Sequence, residues 1–486
     1  MQVLGPALAS YVLIADSIKP PLPTEYPDME LDGFDSPYLG HTGSWDGKGG
    51  AMWGASKVPD LDKEVEMGLR WTFMPVHWNE MEPDGPVDLA KTVPPAWQAL
   101  DTFVIEAQKR KLNILMQAPV VGGNAGGPPD WAGRREPGKS APKNMEAAAA
   151  FAGKLAARYS PGGVLSTKQG WGRRFGIRAW ELDNEPESYR THWQDQAGDY
   201  AEFVTKAASQ IKRADPRAMI LVPATAGGRA IPWIEATLDA QQLKGSPDYR
   251  RAAIQNSIGP VADGVSFHLY EGLAVVFHDP DCTVERLLES IRGVFNRWES
   301  RAPGFHYAKK REYWHTEGNY DFVGWLSADR RAAWRIQFFT RAFAAGVRKV
   351  CVMDASERER AAMHGYVQAL PRPFPMWPAD AEVKVTNGRA VAFAHLDGDK
   401  PEAGQVWVLW AVADTGDARV TVPVIHERVD MISVGGVKTS RRASDHRLTV
   451  DLKGDGKMPP PVLVVDRPTR GKTEPTSNGL VPRISK

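Results

Sequence analysis

Between about residue 60 and residue 355, short apolar runs alternate with longer stretches in which apolar residues recur every three or four positions. Runs of the first kind suit buried parallel strands, and stretches of the second kind suit the amphipathic helices that cover them. The strand-like runs are Leu69–Val76, Leu112–Val120, Phe175–Leu182, Met219–Pro223, Val261–Tyr270, Glu312–Thr316 and Val347–Met353. Helical spacing occupies Ala96–Arg110, Met145–Tyr159, Asp195–Arg213, Val284–Trp298 and Ala328–Gly346. A first strand near Tyr38–Trp45 brings the strands to eight. Eight parallel strands with helices outside them predict a (β/α)8 TIM barrel, an α/β fold whose active site lies on the loops after the C-terminal ends of the strands.

After Pro371 the helical period stops, and Pro371, Pro373, Pro375 and Pro378 punctuate the change. The β-branched runs Val391–Leu396, Gln405–Ala413, Ala418–Ile425, Val429–Val434, Leu448–Leu452 and Val462–Val465 predict a C-terminal antiparallel β-sandwich. The expected organisation is an N-terminal segment over 1–35 that packs on the β domain, a barrel over 36–370, the sandwich over 371–470 and a disordered tail over 471–486. Within that tail Leu480–Arg483 resembles a protease-cleavage remnant. The apolar start, Met1–Asp16, lacks a basic leader and is shorter than a membrane span of ~20 residues, so a packed strand is expected there and no clear signal peptide is read.

Composition narrows the partners. The 486 residues are 42% hydrophobic and carry a net charge of +1, so no overall field favours nucleic acid or an anionic membrane, and a neutral ligand fits best. Cys282 and Cys351 are too few for a disulfide framework and too far apart for a zinc motif, and both read as buried small hydrophobes. The chain is rich in tryptophan: 17 in all, of which only Trp407 and Trp410 follow residue 380.

Two strand ends carry candidate chemistry. Trp180-Glu181-Leu182-Asp183-Asn184-Glu185-Pro186 runs an apolar strand into Asn-Glu-Pro at the end of the fourth strand. Glu312-Tyr313-Trp314-His315-Thr316-Glu317-Gly318 ends the seventh strand on a second carboxylate. In a barrel both would face one cleft. Two facing carboxyls suffice to cleave a glycosidic bond: one protonates the departing oxygen, and the other attacks the anomeric carbon or activates water.

With these motifs the sequence resembles the clan A glycoside hydrolases, nearest to family 39-like enzymes, a group that includes β-xylosidases, α-iduronidases and exopolysaccharide hydrolases. The resemblance implies that Glu185 is the acid/base, that Asn184 binds the sugar hydroxyl beside the reaction centre, and that Glu317 is the nucleophile of a retaining double displacement. Ser266-Phe267-His268-Leu269-Tyr270 looks like the family's His-x-Tyr, which implies that His268 and Tyr270 steer the two carboxylates. Two positions depart from the pattern. Phe73 stands where an arginine beside the nucleophile is usual, with Arg70 facing the other side of the strand, so His77 or His268 is expected to take over that role. Asp183 occupies a place where the family often has an aromatic residue.

Several tryptophans fall where a sugar would bind. Trp78, Trp131, Trp193 and Trp325 lie in loops after strands two, three, four and seven, and an indole face stacks well on a sugar ring. Trp78, Trp193 and Trp325 are therefore candidate sugar contacts, whereas Trp71, Trp180 and Trp314 lie within strands and belong to the barrel. Gly133-Arg134-Arg135-Glu136-Pro137-Gly138-Lys139-Ser140 fits the P-loop pattern, but neither the leading strand nor the helix that phosphate binding requires is present. No cofactor and no metal is expected. The reading is a glycosidase acting on a carbohydrate. A carbohydrate-binding barrel impaired by Phe73 and an inverting hydrolase are the alternatives, the latter to be separated by the distance between the carboxyls.

Overall fold

The computed structural model describes residues 36–41, 61–121, 127–136, 140–171, 175–187, 193, 197–227, 230–239, 257–273, 283–301, 311–320, 326–353, 355–376, 383–397, 400–413, 415–454 and 458–467. The expectations for segments 1–35 and 471–486, for Cys282 and for Trp325 lie outside these residues.

Eight parallel strands form a closed barrel: β1 (Tyr38–His41), β2 (Trp71–His77), β3 (Asn113–Val120), β4 (Ala179–Glu181), β5 (Met219–Leu221), β6 (Gly264–His268), β7 (Glu312–Glu317) and β8 (Lys349–Met353). Closure comes from β8 pairing with β1, while Leu221 of β5 registers with Gly264 of β6. A two-residue extension after β5, Thr225–Ala226, pairs with Phe267 and His268 at the top of β6. The helices that follow the strands in turn are α1 (Leu61–Glu66), α2 (Pro95–Lys109), α3 (Met145–Tyr159), α4 (Ala197–Ala214), α5 (Ala230–Asp239), α6 (Val284–Arg301), α7 (Ala328–Ala344) and α8 (Glu357–Ala369). Local chemistry sets several of their starts. Pro95 opens α2 at a position that needs no amide donor. Asn144 caps α3, and Ser356 with Glu359 forms a reciprocal capping box on α8.

All eight residues of β3 are buried, as expected of a parallel strand covered on both faces. Inside the barrel, Leu39, Trp71, Phe73, Leu115, Ala179, Met219, Leu221, Trp314 and Cys351 form an apolar plug. At its lower, N-terminal end the buried Lys349 ammonium sits 4.3 Å from the centre of the Trp71 ring and 5.0 Å from that of Trp314, and donates to the Ser36 carbonyl at 2.6 Å. Two aromatic faces and a carbonyl replace the water this cation gives up.

The C-terminal part holds two antiparallel sheets. One has six strands in the order β9 (Phe374–Met376), β11 (Gly388–Asp397), β12 (Lys400–Ala411), β17 (Val462–Asp466), β14 (Arg428–Ser433) and β15 (Lys438–Arg442). The other has three: β10 (Lys384–Thr386), β13 (Ala418–Pro423) and β16 (Arg447–Leu452). In β16 exposed and buried residues alternate strictly, with Leu448, Val450 and Leu452 facing Val420, Val422 and Trp407 in the core between the sheets. The outer side of the larger sheet packs on the barrel: Phe393, Val406, Val408, Trp410, Leu463 and Val465 join the hydrophobic core of the barrel helices. Gln337 of α7 adds a hydrogen bond to the Pro459 carbonyl at 2.6 Å. Among the described residues no helix is long and apolar enough to cross a membrane.

Candidate active site

The segment after β4 presents the first glutamate through unusual backbone. Asp183 and Glu185 adopt φ values of 66° and 40°, and Ala224, opposite them after β5, adopts 52°. Such left-handed conformations cost non-glycine residues about 1–3 kcal/mol each, and they persist only where the surroundings hold them. Here the surroundings are specific. The fully buried Asp183 accepts the Asn184 amide at 2.8 Å on one oxygen and the Trp193 indole N–H at 2.8 Å on the other. The Glu185 amide donates to the Ala224 carbonyl at 3.0 Å. Asp183, the departure from the family pattern, thus fixes the turn that aims Glu185.

β6 and β7 complete the site. His268 Nδ1 lies 3.0 Å from Glu185 Oε1 and 3.7 Å from Glu317 Oε2, and the Tyr270 hydroxyl donates to Glu317 Oε1 at 2.6 Å. One donor atom from each of Glu185, His268 and Glu317 falls within 4.8 Å of the other two. Four residues expected to work together, Glu185, Glu317, His268 and Tyr270, therefore do meet at the C-terminal mouth of the barrel. Of these, His268 is hydrogen-bonded to Glu185 and lies within ion-pair distance of Glu317, whose own hydrogen bond comes from Tyr270. At Gly318 a side chain is impossible without rearrangement, since a Cβ there would lie 2.2 Å from the Leu269 carbonyl. That close approach keeps the end of β7 against the loop carrying Tyr270.

Directly beneath is a polar layer that sequence reasoning missed. The fully buried Glu181 accepts Gln117 Nε2 at 2.8 Å and the Thr316 hydroxyl at 2.7 Å. Gln117 also donates to Asn184 Oδ1 at 3.0 Å, so one amide links β3, β4 and the residue before the acid/base candidate. The available signal was a polar residue amid apolar neighbours in each buried strand, Gln117 in β3 and Glu181 in β4. Glu187 was also missed. It accepts the Ala226 amide at 2.6 Å on one oxygen, while its other oxygen is buried with no partner among the described residues.

Electrostatics separates the histidines. Burial disfavours a charge on His268, but the Glu317 charge, the hydrogen bond to Glu185 and the charges of Glu185 and Glu181 outweigh it and push the imidazole up to about 10. Burial takes His77 down to about 4 and His315 down to about 3, so both rings are neutral near pH 7. Burial, followed by the Glu317 charge, raises the Tyr270 phenol well above its usual range and keeps it a hydrogen-bond donor. Burial, reinforced by the Glu185 charge, lifts Glu187 to about 8, whereas an unfolded glutamate titrates near 4.5.

That last shift predicts a pH-dependent stability. Between pH 4.5 and 8 the folded chain holds a proton on Glu187 that the unfolded chain has lost, so stability falls as pH rises through that window. Glu187→Gln should flatten this slope, as measured by denaturant unfolding at pH 5 and pH 8. An unchanged slope in the variant would contradict the buried, protonated carboxyl.

The tryptophan expectations need correction. Trp78 and Trp193 are completely buried and offer no face to a sugar. Trp78 stacks on Phe151 (6.1 Å, 21°), meets Trp131 edge-on (5.3 Å, 84°) and donates to Glu82 at 3.1 Å. Trp193 stacks on Phe203 at 5.9 Å and spends its N–H on Asp183. His77 stands at the end of β2, and its Nδ1 is buried without a partner among the described residues. Phe73 is turned into the apolar plug, and the Arg70 side chain is exposed at the foot of β2, so neither supplies a charge to the glutamates. The segment with the P-loop pattern follows a short turn at Asp130–Ala132 and precedes a helix that begins only at Met145, as its rejection required.

No protein-family model and no curated relative matches the sequence. Solved structures do match. A bifunctional glucanase-xylanase from a metagenome library aligns at 13% identity over 84% of this chain and 94% of its own, with a TM-score of 0.54. A glucosidase from Croceicoccus marinus aligns at 12% identity over 84% and 92%, with a TM-score of 0.51. A monomeric β-xylosidase from Caulobacter crescentus aligns at 14% identity over 84% and 92%, with a TM-score of 0.50. At such identities the likeness is one of fold, and that fold is a (β/α)8 barrel followed by an antiparallel β-sandwich.

Proposed function

We propose that this chain is a retaining glycoside hydrolase, with Glu185 as acid/base, Glu317 as nucleophile, and Asn184, His268 and Tyr270 as supporting residues. The barrel over 36–370 would be the catalytic domain, with the sandwich over 371–470 bracing it. The observation that carries the reading is the closeness of the glutamates, one oxygen of each lying within 4.8 Å of an oxygen of the other. Retaining enzymes hold their carboxyls ~5–5.5 Å apart, and inverting enzymes need ~6.5–9.5 Å to admit a water. The structural neighbours, a glucanase-xylanase, a glucosidase and a β-xylosidase, support the same chemistry.

In the first half-reaction, Glu317 attacks the anomeric carbon as the bond to the departing oxygen breaks, and Glu185 gives that oxygen its proton. In the second, water attacks the same carbon, passes a proton to Glu185, and releases Glu317 as a carboxylate. The sum is glycoside plus water giving a sugar and an alcohol, with the anomeric configuration inverted twice. Proton NMR of the first-formed product tests this: the anomer with the substrate's own configuration should appear first and mutarotate later. Early appearance of the opposite anomer would sink the retaining assignment.

A further inference from the structure

The resemblance leads one to expect an arginine charge beside the nucleophile, and here Phe73 is buried in the barrel plug instead. A double displacement nevertheless imposes a charge requirement. For its first half-reaction the glutamate pair must carry one negative charge, on Glu317. Once the sugar is esterified, Glu317 is neutral and Glu185, having lost its proton, holds the charge. The negative charge moves a few ångströms, and its sum does not change. A single cation within reach of both oxygens can match it throughout.

We propose that His268 is a positioning residue that carries, as an imidazolium, the positive charge matching the one shared by Glu185 and Glu317, in place of the missing arginine. This rests on the hydrolase reading above. Nδ1 has both carboxylates in reach, at 3.0 Å and 3.7 Å, and the ring is fully buried. The groups facing it are mostly acidic: Glu181 from β4, Glu185 and Glu187 from the segment after it, and Glu317 from β7, together with the neutral rings of His315 and Tyr270. Nε2 has no acceptor among the described residues, so the hold on the ring comes from the carboxylate side. The upward shift of its titration agrees with this placement. His77, the other candidate, is neutral near pH 7 and cannot take the role.

Two measurements test the proposal. In nitrogen-15 NMR of histidine-labelled protein, with His268 assigned by its loss in His268→Gln or, should that variant misfold, in His268→Asn, both ring nitrogens should stay protonated from pH 5 to pH 9. A neutral ring, or a titration between pH 5 and pH 8, overturns the proposal whatever the activity. In kinetics, His268→Gln keeps a hydrogen-bond donor for Glu185 but removes the charge. It should lower kcat/KM by ~10²-fold and move both limbs of the pH profile to higher pH, because a cation that favours ionised carboxyls is gone. Limbs that stay in place would reduce His268 to a hydrogen-bonding prop. A wild-type protein that cleaves no glycoside would count against the hydrolase reading, while the NMR result would still decide the charge on His268.

Discussion

Glu317→Gln should stop turnover, with kcat falling on the order of 10⁴-fold or more. The substitution is nearly isosteric, and its amide oxygen still accepts the Tyr270 hydroxyl that now lies 2.6 Å from Glu317. Folding should therefore survive, and thermal unfolding of the variant should match the wild type closely. What disappears is the anionic oxygen that forms the bond to the anomeric carbon, and no neighbouring carboxyl can replace it. Glu185 is engaged with His268, and Glu181 is locked below by Gln117 and Thr316. Steady-state assays with aryl glycosides of several sugars check the result. A variant with near-wild-type activity would mean that the nucleophile lies elsewhere.

Glu185→Ala should be slowed by ~10²–10⁴-fold on substrates that need a proton on the leaving group. On substrates with an activated phenol the loss should be small in the first step, since the phenolate leaves unaided, and concentrated in the second, where water lacks its base. Azide needs no base. It should enter the space vacated by the carboxyl, restore turnover of the activated substrate, and give a glycosyl azide of retained configuration. Chromatography and NMR of that product identify the face of attack. Absence of rescue, in a folded variant that still accumulates glycosyl-enzyme, would remove Glu185 from the acid/base role.

Much of the barrel was legible because its strands are buried on both sides, which forces continuous apolar runs such as Ile114–Met116 and Val350–Val352 that a reader can count. Strand ends were legible for a different reason: Glu185 and Glu317 stand where an apolar run stops, and in a barrel the C-terminal ends of the strands open at one mouth. The helices α1, α5 and α8 were not read. α1 is a single short segment, α5 is apolar almost throughout, and α8 signals itself mainly through the Ser356 and Glu359 cap. Loop tryptophans misled because sequence places a residue in a loop but does not reveal which way the loop turns. Trp78 and Trp193 both fold inward, one onto Phe151 and the other onto Asp183. The layer of Gln117, Glu181 and Thr316 escaped for want of register, since only the fold sets Gln117 beside Glu181 and brings the Thr316 hydroxyl across the barrel onto the same carboxylate.

The lysine wedged between Trp71 and Trp314 has a bearing on how this scaffold could be altered. It closes the floor of the barrel through Trp71 at the start of β2, Trp314 within β7 and the chain just before β1, at the end of the strands opposite the glutamates. Strength is anchored at one end and chemistry at the other. Loops above the glutamates can then be exchanged to rewrite which sugar is admitted, with the floor left untouched as the part that keeps the barrel shut.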